Sequence, residues 1–108
     1  MVTIITSSGN SLKSKIDLRF GRTNWFCVYN SDNKSIQFIE NEHKNANGGA
    51  GTKAAETVAE LNAERVISGD FGPKAKALLE QFKIQMIILD AQNKTIEEII
   101  NETKTKKI

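Results

Sequence analysis

Five short runs rich in β-branched and aromatic residues, at 2–7, 25–30, 35–40, 65–68 and 84–89, read as strands, and helical periodicity enters the chain only after the third. Apolar spacing then marks a first helix by Ala54, Val58 and Leu61, a second by Ala75, Leu78, Leu79 and Phe82, and a third by Ile96, Ile99 and Ile100. The order is βββαβαβα. Ser31-Asp32-Asn33-Lys34 supplies turn formers at hairpin length, so the second and third strands should pair antiparallel. Each later helix returns the chain to add a parallel strand. The pattern predicts an α/β fold: one mixed five-stranded sheet covered by helices. At 108 residues it is read as a single domain spanning 1–108.

Direction follows from that order. If the first strand runs up, the second runs down and the other three run up. The upper edge then collects Ser7-Ser8-Gly9-Asn10, Arg19-Phe20-Gly21-Arg22, the long connection from Asn41 to Gly51, and Gly69-Asp70-Phe71-Gly72. All 7 glycines, Gly9, Gly21, Gly48, Gly49, Gly51, Gly69 and Gly72, fall on this edge, whereas the hairpin turn, Asn62-Ala63-Glu64 and Phe82-Lys83 lie below and contain none. Open α/β sheets bind ligands beyond the carboxyl ends of their strands, so the upper edge is the expected site.

Asn47-Gly48-Gly49-Ala50-Gly51-Thr52 leads into the first helix, whose opening amides carry the positive end of its dipole. The third helix begins Thr95-Ile96-Glu97-Glu98, a capping box in which side chains satisfy such amides. The first has none: with Gly51 or Thr52 as its cap, the third helical position is Ala54 or Ala55. An anion can then take those amides, although such glycines also serve tight turns and close packing. The loop is neither a Walker motif nor a dinucleotide fingerprint. Gly69-Asp70-Phe71-Gly72-Pro73 brings a second helix start to the same edge, with Pro73 at the first helical position. Asp70 reads as a helix-start residue before a catalytic one. Arg19 and Arg22 suit bidentate contact with an oxyanion; their alternative is an ion pair with Asp17 or Asp70.

Cys27 alternates with Phe26 and Val28 in mid-strand and reads as a small core residue, with metal ligation as the alternative. His43, the only histidine, belongs to no zinc pattern and offers at most one ligand to a preassembled cluster. No nucleophile, base and acid arrangement is recognisable among the acids Asp17, Glu40 and Asp70, so no enzyme activity is expected.

A net charge of +2 with scattered lysines argues against a nucleic-acid partner, and no apolar run reaches the length of a membrane span. With a first segment that reads as a strand instead of a secretory signal, the expected location is the cytosol. Lys104, Lys106 and Lys107 are expected in a basic, frayed tail at 104–108 that complements the last helix dipole.

Three blocks carry a resemblance over roughly Ile4 to Ile88: Asp17-Leu18-Arg19-Phe20-Gly21-Arg22, Asn47-Gly48-Gly49-Ala50-Gly51, and Gly69-Asp70-Phe71-Gly72-Pro73. With them the chain resembles the dinitrogenase iron-molybdenum cofactor biosynthesis proteins. The resemblance implies a ribonuclease-H-like fold with helices on both faces. It also implies a non-catalytic role in carrying an iron-sulfur or iron-molybdenum cluster that is not permanently bound, with metallocofactor-assembly proteins as partners. Several cluster-binding members have a histidine where this chain has Arg19, and a guanidinium offers iron no lone pair. The expected cluster site comprises Ser8, Gly9, Asn10, Arg19, Phe20, Gly21, Arg22, Asn47, Gly48, Gly49, Gly51, Gly69, Phe71 and Gly72. A phosphate-ester or nucleotide-handling protein and a regulatory protein-interaction module are the alternatives.

Overall fold

The computed structural model describes residues 1–108. Its elements are β1 (Val2–Ser7), β2 (Trp25–Asn30), β3 (Ser35–Glu40), α1 (Ala50–Glu60), β4 (Arg65–Ser68), α2 (Pro73–Gln81), β5 (Gln85–Ile88) and α3 (Ile96–Lys104). The order βββαβαβα is the one the periodicity predicts. β5 is shorter than 84–89 because the Ile84 amide donates to the Leu79 carbonyl (2.9 Å), closing α2 before the ladder begins.

The sheet has the order β3-β2-β1-β4-β5, with β1 antiparallel to β2 and parallel to β4, and the hairpin placed as expected. β1 is central, and its residues Thr3 to Ser7 are all buried, as a strand covered on both faces requires. The pleat divides the core. Ile4, Phe26 and Val66 pack with Ala54, Val58, Ala75 and Leu79 of α1 and α2 on one face, while Ile5, Cys27, Tyr29 and Ile67 pack with Ile96, Ile99 and Ile100 of α3 on the other. Each fully buried Ile or Val contributes about 1.5–3 kcal/mol of transfer free energy. No helix is long and apolar enough to cross a membrane.

α3 begins with the predicted capping box: the Glu98 amide donates to the Thr95 hydroxyl (3.2 Å), and the Thr95 amide donates to the Glu98 carboxylate (3.1 Å). Its next amides, of Ile96 and Glu97, donate to the Ser14 and Leu12 carbonyls at 2.9 and 3.0 Å. The loop after β1 is thereby fastened over the start of α3, and protein groups use that helix start. Lys104 is the last residue of α3, and the amides of Thr105, Lys106 and Lys107 donate to the carbonyls of Asn101, Thr103 and Glu102, which caps the helix end.

Candidate functional site

The chain enters α1 through two glycines with left-handed backbones, Gly48 (φ 87°) and Gly49 (φ 75°), and Gly49 is the cap. Helix formation thus starts two residues earlier than a cap at Gly51 would allow, because consecutive positive φ values turn the chain into the helix before Ala50. The third helical position is Thr52, with no side-chain cap and no acid in the first turn. The first intrahelical bond runs from the Lys53 amide to the Gly49 carbonyl (3.0 Å), and the amides of Ala50, Gly51 and Thr52 have no acceptor in the protein.

Gly51, inside the helix, meets a different demand. A Cβ on Gly21 would lie 2.7 Å from the Gly51 nitrogen, and one on Gly51 would lie 3.3 Å from the Ala75 Cβ. The Arg19 to Arg22 segment therefore crosses the start of α1 backbone to backbone, and α1 in turn abuts α2. At α2 the cap is Gly72 (φ 74°) with Pro73 as the first helical residue. The Lys76 amide bonds the Gly72 carbonyl (3.0 Å), which leaves the Lys74 and Ala75 amides without acceptors. Asp70 shapes this turn: its carboxylate accepts from the Gly72 amide (3.3 Å), and its carbonyl accepts from the Phe20 amide (3.1 Å).

The two helix starts open on one cleft of about 360 Å³ between Arg19–Arg22, Gly49–Gly51 and Asp70–Gly72. A hollow of about 220 Å³ adjoins it, reaching Thr52 and Lys74. Phe20 and Phe71 are buried beneath, their rings 5.2 Å apart, so they serve the core and present mainly backbone to the cleft. Of the expected site residues, the structure brings Arg19, Phe20, Gly21, Arg22, Gly49, Gly51, Phe71 and Gly72 together. Asn47 and Gly48 precede the lining. Gly69 lies outside it, where a Cβ would meet the Leu18 Cβ at 2.6 Å. Ser8, Gly9 and Asn10 belong to the loop over α3, where the Ser7 hydroxyl donates to the Gly9 carbonyl (2.6 Å). Ala50 and Asp70 also line the cleft. The Ala50 amide was readable only with the cap placed at Gly49.

The arginines differ. The Arg19 guanidinium grips Asp17 through Nε (3.1 Å) and Nη2 (3.0 Å), and this bond and charge push its pKa further up. Arg19 is thus charge-compensated. Arg22 Nη1 donates to the Lys44 and Ala46 carbonyls at 2.8 and 3.2 Å, which pins the long connection and leaves its charge uncompensated.

Cys27 has no exposure, lies on the α3 face of the sheet, and is pushed up to about 12 by burial. An enclosed thiol on this face packs as a small core group. His43 lines a separate cavity of about 300 Å³ with Glu40, Glu42 and Glu60. No cluster of three or more His, Cys, Asp or Glu side chains is arranged to hold a metal ion.

The family described as dinitrogenase iron-molybdenum cofactor matches residues 1–106. The chain belongs to this family. An uncharacterised protein of Methanocaldococcus jannaschii is 29% identical over 90 residues, covering 81% of this chain and 75% of the relative. The apo form of the orange protein from Desulfovibrio gigas superposes with a TM-score of 0.90 at 25% identity, covering 97% of this chain and 88% of its own. A NifB-like protein from Thermotoga shares the fold, with a TM-score of 0.82 at 23% identity over 96% of this chain and 87% of its own. In this family member the cleft lies where the three sequence blocks that carry the resemblance converge.

Proposed function

We propose that the chain is a non-catalytic carrier that holds an anionic iron-sulfur or iron-molybdenum cluster in the upper-edge cleft. One observation carries the reading: the amides of Ala50, Gly51, Thr52, Lys74 and Ala75, at two helix starts, lack protein acceptors, and these residues line the same cleft and its adjoining hollow. Each helix start carries roughly half a positive charge, and a bound anion would bridge the two. Gly49 and Gly72, without Cβ atoms, leave room for a bulky ligand to approach the backbone.

The donor set suits holding without coordination. The lining contains no thiol or imidazole, so cluster sulfides would accept hydrogen bonds from amides while Arg22 and the neighbouring Lys74 supply charge. Weak, reversible attachment is what a carrier needs, and assembly proteins of the same cofactor would be its partners. Membership of a family named for the iron-molybdenum cofactor supports the reading, as does the likeness to a protein solved in its apo form.

Anaerobic titration with isolated iron-molybdenum cofactor, and separately with a preformed iron-sulfur cluster, tests this. The expected result is visible absorption that co-elutes with the protein and weakens about tenfold in Arg22→Gln, the loss of one charged hydrogen-bond donor. Absence of co-elution with either cluster overturns it.

A further inference from the structure

The opposite end of the sheet carries a second cationic cavity. Tyr29 at the end of β2, Lys34 in the hairpin turn, Arg65 at the start of β4, and Thr103, Lys104 and Lys106 at the end of α3 line a space of about 450 Å³. No acidic side chain lines it, and none of its four cations pairs with one. The nearby acids are engaged elsewhere: Glu64 accepts from the Val2 amide (2.8 Å), and Asp32 lies on the Met1 nitrogen (3.1 Å).

Two features place donors on the cavity. Arg65 is held in place, because its Nε donates to the buried Thr3 hydroxyl (2.8 Å) and its Nη1 to a main-chain oxygen of the last residue, Ile108 (3.4 Å), leaving Nη2 uncommitted. Tyr29 is only 3% exposed, and its hydroxyl, which makes no hydrogen bond within the protein, is the part that reaches solvent in the cavity. Its donor is therefore open to a ligand that enters there. Carbonyls at the end of α3 are taken by the amides of Thr105, Lys106 and Lys107, which reduces the helix's negative end as a competitor.

We propose that this cavity is a second anion site, for a small molecule bearing a diphosphate or similarly charged phosphate-ester group. Several tetrahedral oxygens would receive the Arg65 fork and the Tyr29 hydroxyl while Lys34, Lys104 and Lys106 neutralise the charge. The site is independent of the upper-edge cleft and of any cluster bound there.

Amide NMR of the whole chain, titrated with inorganic pyrophosphate at about 0.15 M salt to screen non-specific attraction, reads the site directly. Saturable shifts are expected at Ser31, Lys34, Arg65 and Thr105. Tyr29→Phe, which keeps the ring, should weaken binding about tenfold, and so should Lys104→Gln, an exposed position. Shifts confined to residues 49–52 and 74–75, unchanged affinity in both variants, or an equal response to sulfate would overturn the proposal.

Discussion

Cys27 and Gly21 are small residues held by contacts from far along the chain. Because burial raises the Cys27 thiol from 9.0 to about 12, its contribution to stability is complete below pH 9 and lost as pH rises from there towards 12. In that window the unfolded state releases a proton that the folded state keeps, at about 1.4 kcal/mol per pH unit. Urea unfolding at pH 8 and pH 10.5 should show a larger loss in the wild type than in Cys27→Ala, and iodoacetamide at pH 8 should label the thiol only on unfolding. Equal alkaline losses would mean the thiol already ionises in the fold. At Gly21 the nearest obstacle to a Cβ is backbone, which cannot rotate away. Gly21→Ala should therefore cost about 1–3 kcal/mol by overpacking, measured as a shift in denaturation midpoint.

Two helix starts in one chain are treated in opposite ways. α3 fills its start with Thr95, Glu98 and the Ser14 and Leu12 carbonyls, whereas α1 begins on a bare glycine. Thr95→Ala should lower stability by about 1 kcal/mol in chemical denaturation. Hydrogen bonds from Thr95 hold Glu98 below its usual 4.5, so its contribution is present above that pH and lost as pH falls through the lower folded value. Glu98→Gln should flatten this acid limb of the stability profile. In α1, Thr52→Glu places a carboxylate at the third helical position. The helix should gain about 0.5 kcal/mol from its dipole while cluster co-elution falls, and a variant that binds clusters undiminished would separate the helix start from the binding site.

On the scale of the whole molecule, the sheet order matters most for function, because it sets the starts of α1 and α2 side by side at the carboxyl ends of β1 and β4. Phe20 ties this arrangement together: it is buried against Phe26 and Phe71, and its amide bonds the Asp70 carbonyl. Phe20→Ala should destabilise the fold by about 3–5 kcal/mol and broaden the amide signals of both helix starts together. Loss of stability with both starts unperturbed would show that the cleft does not depend on this core contact.

Element order, the hairpin and the α3 capping box were legible in the sequence because each depends on residues a few positions apart, through pleat alternation, turn chemistry or the spacing of one helical turn. The gathering of glycines at one edge was legible too, since strand direction follows from that order. Tertiary structure decided which glycines meet the cleft and which only permit packing. Gly21 needs to be glycine because of Gly51, thirty residues on, and Gly69 because of Leu18; neither demand leaves a local pattern. It also decided that Arg22 reaches the Lys44 and Ala46 carbonyls, and that Tyr29, Arg65 and the last turn of α3 share a cavity. Such pairings arise only when the core brings separate elements within a few ångströms, and sequence periodicity carries no record of that distance.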